Sequence, residues 1–376
     1  MSGCPTPAET NFCVHVGRGL FQGIGMTYGD YPDLSQVKNV LVVKLRHLGD
    51  VLLTGPVFSA LKQALPQAKI DAYVYEEAKP MLEGHPAVNR LIGYDRRWKK
   101  LSFFKRLMKE LALLIEIRKG RYDLVINLTE GDRGAIAAKA ARARFRVGCD
   151  PKGKWQKKLY THTVKNAPSL RHAVEKNLDA LRRIGIFPAP EERDLFFSIP
   201  SEATASMQAK VGEGFVLVHP TSRWRFKCWP SAKVRELIVR LQEQGKRIVL
   251  TSGPDPIEKN IVQEIGRGLD VAVLGGETSL KELGALIALS ELLVCVDSVP
   301  LHLASALKKP VVALFGPTSD VTWGPWRNPH ARVVSQSFSC RPCYQDGCGG
   351  SKYSDCLATL PVEQVLAAVE DCFSLN

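Results

Sequence analysis

A chain of 376 residues, 45% hydrophobic and 24% charged, is too long for one ordinary core and too apolar for disorder, and it suits two α/β domains of roughly 150–200 residues each. Its formal net charge of +13 is polarised, with 33 Lys and Arg against 20 Asp and Glu in residues 1–200 and 18 against 18 in residues 201–376. That argues against a uniformly basic protein and for one lobe that meets something negatively charged.

Residues 1–36 are rich in Gly, Pro and Thr without periodicity and are expected to form a poorly ordered leader. They lack the basic start and apolar run of a secretory signal, and no stretch approaches about 18 continuous apolar residues. The ten cysteines are therefore expected to stay reduced, in the cytosol. The apolar run 40–45 reads as a buried strand, followed by a Gly-Asp turn and a helical stretch over 54–65 stopped by Pro66. Further strands are expected at 70–75, 91–94 and 122–128, with helical patterns between them. After a Pro- and acid-rich stretch near 187–203, a second series is expected at 215–219, 247–251, 271–274, 292–297 and 311–315. Its helices fall at 231–244, 279–290 and 299–307. This alternation predicts βαβ units, hence an α/β chain of two doubly wound lobes hinged near residue 200. Ligands of such sheets bind at the carboxyl ends of strands.

Four loops at those ends carry candidate chemistry. In Lys44-Leu45-Arg46-His47-Leu48-Gly49-Asp50, the carboxylate of Asp50 suits a general base for an attacking hydroxyl, or else an N-cap. His219-Pro220-Thr221-Ser222, followed by Arg223, Arg225 and Lys227, groups hydroxyls and cations that suit a phosphate, or else form a solvated basic loop. Trp229-Pro230 then opens a helix. Asp297-Ser298, with His302 four residues on, closes a strand and opens a helix whose N–H groups suit a pyrophosphate; otherwise Ser298 is a cap and His302 a buried imidazole. Phe315-Gly316-Pro317-Thr318 adds a fourth turn, in which Gly316 permits close backbone approach.

The basic half holds its own constellation. Residues 96–121 contain ten Lys and Arg, among them Lys99, Lys100, Lys105 and Arg106, interleaved with Trp98, Phe103 and Phe104. Residues 133–176 contain twelve more. Such stretches fit an anionic membrane or a phosphorylated ligand, and they also fit nucleic acid. No G-x-G-x-x-G, P-loop or Asp-x-Asp pair is present, so no metal is expected at the diphosphate. Cys340, Cys343, Cys348 and Cys356 read either as a structural metal site or as reduced, partly buried thiols.

From Lys38 onward the chain resembles the bacterial lipopolysaccharide heptosyltransferases, glycosyltransferase family 9, most of all the type that adds a side-branch heptose to the inner core. Four segments carry the match: Leu48-Gly49-Asp50 with Pro56; His219-Pro220-Thr221-Ser222 with Lys227 and Trp229-Pro230; Asp297-Ser298 with His302; and Phe315-Gly316-Pro317-Thr318. The tail 345–351 adds to it. Val299 is a departure, since many members carry Gly there.

The resemblance implies a GT-B fold of two Rossmann-like lobes facing a cleft, without cofactor or metal. It implies inverting transfer of heptose from ADP-L-glycero-β-D-manno-heptose to the phosphorylated, heptosylated inner core, on the inner face of the inner membrane. Residues 37–200 would bind the acceptor and 201–376 the nucleotide sugar, with the last helix packing back on the first domain. Asp50 matches the family's proposed base, and Thr221, Ser222 and Lys227 its diphosphate site. Asp297, Ser298 and His302 match its donor site, and Glu258 its ribose carboxylate. Lys99, Lys100, Lys105 and Arg106 would face acceptor and membrane. The other readings are a member of the family with a different sugar or acceptor, and a nucleic-acid-binding protein that uses the basic lobe.

Overall fold

The computed structural model describes residues 30–149, 151, 153–165 and 170–374; of the expected leader, 1–29 lie outside the described residues. The first lobe runs β1 (Asn39–Lys44), α1 (Leu48–Leu52), α2 (Gly55–Ala64), β2 (Lys69–Tyr75), β3 (Arg90–Tyr94), α3 (Phe103–Lys119), β4 (Leu124–Asn127), α4 (Asp132–Ala140), β5 (Phe145–Cys149), α5 (Lys154–Lys157), β6 (His162–Val164) and α6 (Ala173–Arg182). The second begins at α7 (Ser201–Val211) and continues through β7 (Val216–His219), α8 (Ser231–Glu243), β8 (Ile248–Ser252), α9 (Pro256–Gly266), β9 (Ala272–Gly275), α10 (Leu280–Leu289), β10 (Leu292–Val296), α11 (Val299–Ala306), β11 (Val311–Leu314), α12 (Asp320–Trp323), β12 (Ala331–Val334), α13 (Asp355–Ala358) and α14 (Val362–Ser374).

Each lobe is one six-stranded sheet, ordered β3-β2-β1-β4-β5-β6 and β12-β11-β10-β7-β8-β9. Val40 pairs with Ile70 on one side and Leu124 on the other, both in parallel. Val294 pairs likewise with Val218 and Val312. Helices cover both faces, so the central strands are largely apolar; Val40, Leu41, Val42 and Val43 are all buried. The strand order reverses beside β1 and beside β7, and a crevice opens at the carboxyl ends of those strands. Both halves thus adopt the same doubly wound topology.

Apolar burial also binds the lobes together, because one core runs continuously from Val42 and Phe58 through Phe197 to Leu286 and Leu301. The connecting segment is pinned to the second lobe. Trp326 Nε1 donates to the Arg193 carbonyl at 2.6 Å, and Asp194 pairs with Lys308 and Arg327. His172 caps α6, its Nδ1 accepting from the Val174 N–H at 3.2 Å. Its Nε2 then carries the proton and donates to the Gly324 carbonyl at 3.1 Å, while the ring stacks on Trp326.

One expectation fails. The last helix does not return to the first lobe: Val362, Val365, Val369 and Cys372 of α14 bury into the second lobe with Leu237, Leu314 and Val334. Several elements add to those expected, among them the outer strands β5, β6 and β12 and the helices α6, α7 and α9.

Candidate active site

The loop after β1 leads into α1, where Asp50 is the third residue. His47 occupies the cap position, so Asp50 is not an N-cap. Asp50 makes no hydrogen bond or ion pair with another described residue, although His47, Lys44 and His302 all feel its charge. It lines a cleft of about 520 Å³ between the lobes. Arg46, His47, Gly49, Glu77 and Arg96 line it from the first lobe, and Ser222, Arg223, Lys227, Asp297, Ser298, His302 and Thr318 from the second.

On the second lobe one carboxylate organises the wall. Asp297 Oδ2 accepts from Lys227 Nζ at 2.6 Å and from Thr318 Oγ1 at 2.7 Å. The pair joins the loops after β7, β10 and β11, three separate strand ends. Ser298 precedes α11 without capping it; its hydroxyl donates to the Val296 carbonyl instead. Val299, the first residue of α11, therefore faces the cleft at an uncapped helix end, where partial positive charge favours an anion.

His302 reaches the same cleft from α11. Burial holds its imidazole below the ordinary histidine range, against the opposing pull of Asp297 and Asp50. Its Nδ1 is buried with no hydrogen-bond partner. A Cβ at Gly49 would stand 2.7 Å from His302 Cδ2, so only glycine lets α1 of one lobe meet α11 of the other.

Two expected residues lie elsewhere. Thr221 is fully buried and its hydroxyl donates to Glu258 Oε2 at 2.8 Å. Glu258 also accepts from the Gly253 N–H at 3.3 Å. Neither lines the cleft, so the Thr221 hydroxyl is committed to Glu258 rather than offered to the diphosphate.

A second cavity of similar volume opens at the strand ends of the first lobe and shares Arg46 with the cleft. Arg106 lines it and pairs with Glu110 at 3.1 Å, unlike Lys99, Lys100 and Lys105, which are exposed and have no ion-pair partner among the described residues. Glu110 also accepts from Tyr94 Oη at 3.1 Å, and Arg133 covers the Tyr94 ring.

Sequence reasoning did not single out Arg96 or Lys44. Arg96 follows β3 and pairs with Glu77. Lys44 ends β1 buried, with its Nζ donating to the Leu128 carbonyl at 3.1 Å and to Asn177 Oδ1 at 3.0 Å, while Asn177 Nδ2 donates to the Leu53 carbonyl. A cation closing an otherwise apolar strand was the available signal. Among the described residues no group of three or more His, Cys, Asp or Glu is placed to hold a metal, and Cys340, Cys343, Cys348 and Cys356 are free thiols.

Two parallel lobes of like topology, with a carboxylate on one side of their cleft and a lysine-centred anion wall on the other, define a GT-B glycosyltransferase. The chain belongs to glycosyltransferase family 9 (heptosyltransferase), whose pattern it matches over residues 111–354. It is 36% identical to lipopolysaccharide heptosyltransferase 3 of Escherichia coli strain K12 over 87% of this chain and 95% of that protein. The family 9 glycosyltransferase structure from Veillonella parvula superposes with a TM-score of 0.78 at 24% identity, covering 90% of this chain and 98% of that one. E. coli heptosyltransferase WaaC with ADP-2-deoxy-2-fluoro heptose gives 0.66 at 25% identity, covering 89% and 99%.

Proposed function

We propose that this glycosyltransferase moves a heptose from an ADP-heptose to the heptosylated inner core of lipopolysaccharide, as a peripheral protein on the cytoplasmic face of the inner membrane. The observation that carries the reading is the unpartnered carboxylate of Asp50, which shares one cleft with the Lys227–Asp297–Thr318 cluster. The likeness to heptosyltransferase 3 supports heptose and core as substrates, and the WaaC complex supports an ADP-linked donor.

In this mechanism Asp50 takes the proton of an acceptor hydroxyl as its oxygen bonds to the anomeric carbon of the heptose. The bond from that carbon to the diphosphate oxygen breaks on the opposite face, so the configuration inverts. ADP leaves with the electron pair. Negative charge grows on the departing phosphate, and a preorganised cation lowers the barrier most where charge develops. Lys227 supplies that cation, and Asp297 aims it while the donor is absent. The uncapped start of α11 with Ser298, together with Ser222, completes the anion wall. Thr221 orients Glu258, to which we assign a ribose hydroxyl of a nucleotide reaching past the cleft lining toward the end of β8. Lys99, Lys100, Lys105 and Arg106 act on the acceptor side. They provide the charge that an anionic membrane and a phosphorylated core both attract.

The nucleic-acid reading explains the basic lobe but not the lysine-centred cleft of the neutral one. Mass spectrometry of core oligosaccharide from a strain lacking this protein tests the proposal. The expected core lacks one heptose and regains it on complementation; an unchanged core contradicts the assignment.

A further inference from the structure

The outer face of α3 inverts the usual pattern of a surface helix. Its 17 residues bury Leu113 and Ile117 against the sheet. The opposite face, which a globular protein ordinarily fills with charge, carries Phe104 (78% exposed), Met108 (67%), Leu111 and Ile115 (54%). Their spacing of four, three and four places them on one helical stripe. Phe103 (72% exposed) and Leu107 widen it. The inner face is occupied, since Glu110 and Arg106 close on each other and on Tyr94 and Arg133. Among the described residues nothing of the first lobe covers the outer stripe.

Charge selects the occupant. Lys99 and Lys100 immediately precede the helix, Lys105 stands on its flank, and Arg118 and Lys119 end it, all exposed and without an ion-pair partner among the described residues. An apolar stripe bordered by lysines matches a bilayer with anionic headgroups, with acyl chains taking the stripe and phosphates the amines. An acidic protein surface would pair with the lysines but leave Phe104, Met108 and Ile115 in water.

We infer that α3 is an interfacial helix that lies in the plane of an anionic bilayer and buries Phe104, Met108, Leu111 and Ile115 below the headgroups. The inference rests on the proposed function for the identity of that membrane and extends it from electrostatic attraction to insertion. It also gives the first-lobe cavity a use. The inner face of the same helix lines that cavity, which shares Arg46 with the cleft of Asp50. A sugar carried by a lipid lying in the bilayer would thus enter beneath α3.

The test uses the full chain with vesicles of phosphatidylethanolamine and phosphatidylglycerol. The triple variant Phe104→Ser, Met108→Ser and Ile115→Ser should sediment with vesicles at least tenfold more weakly than the parent. At high salt, where exposed charges are screened, the parent should keep a measurable bound fraction and the variant none. Leucine at the same three positions should restore binding, which separates insertion from misfolding. Transfer to a deacylated, water-soluble acceptor should be unchanged, whereas transfer to vesicle-embedded acceptor should fall about tenfold. Vesicle binding of the serine variant equal to that of the parent overturns the inference. So does a parent that is dimeric in solution when the variant is monomeric, because the stripe would then be a protein interface. If no heptose is transferred at all, the proposed function fails while vesicle binding still reads the inference alone.

Discussion

Asp50 and Lys227 stand on opposite lobes and face one cleft, and each can be tested by removing a single function. Replacing Asp50 by Asn should lower turnover about 10²–10⁴-fold, the usual worth of a positioned base. ADP binding, followed by calorimetry, should stay within about twofold, since the donor wall is untouched. Lys227 differs because its partner is buried. Lys227→Met strands the Asp297 carboxylate with only Thr318, and an uncompensated buried group costs about 1–3 kcal/mol. The single variant should lose both stability and transfer in urea titrations and kinetic assays. The double variant with Asp297→Asn should regain the stability and not the transfer. Both residues were legible in the sequence because each follows an apolar strand within a few positions. The pairing of Thr221 with Glu258 was not, since its two partners are 37 residues apart and only the register of β7 against β8 brings them together.

At the scale of elements, the approach of α1 to α11 depends on the missing side chain of Gly49. Gly49→Ala forces its Cβ onto the His302 ring and should lower the melting temperature by an amount equivalent to about 1–3 kcal/mol. Combined with His302→Ala, the second change should cost less than it does alone, because neighbouring sites are not additive. Strict additivity in thermal melts would show that the two helices do not press on each other there. Central strands such as β1 and β10 announced themselves through continuous apolar runs, as strands buried on both faces do. The outer strands β5, β6 and β12 did not. Arg332 interrupts Ala331-Arg332-Val333 at the edge, which tolerates a charge, and Arg146 interrupts β5, where its guanidinium is satisfied by the Leu159 and Ala143 carbonyls. In α3 the ten cations of residues 96–121 masked the apolar stripe, which emerges only once the burial of Leu113 and Ile117 shows which face is inward.

Across the whole molecule, the lobes are held by apolar burial and by the neutral ring of His172, and two further buried histidines share its titration. His172, His219 and His85 are each pushed down to about 4 by burial. Unfolded, they bind protons near pH 6.5, so between about 4 and 6.5 the unfolded chain holds more protons than the folded one. The stability they contribute is complete above that window and is lost as pH falls through it, by roughly 2 kcal/mol per residue between pH 7 and 5. Urea titrations at those two pH values should show the loss. His172→Asn, which keeps an acceptor for the Val174 N–H, should reduce the slope by one residue's share. An unchanged slope would mean that His172 is not held neutral between the lobes. The central claim, that Asp50 activates the acceptor for heptose transfer in the inter-lobe cleft, is tested most directly by mixing the purified chain with ADP-heptose and heptosylated inner core. Mass spectrometry should find core one heptose heavier and ADP released in equal amount by the parent, and almost neither by a folded, ADP-binding Asp50→Asn variant. Parent-like product formation by that variant, or ADP release without a heavier core by the parent, would contradict the account.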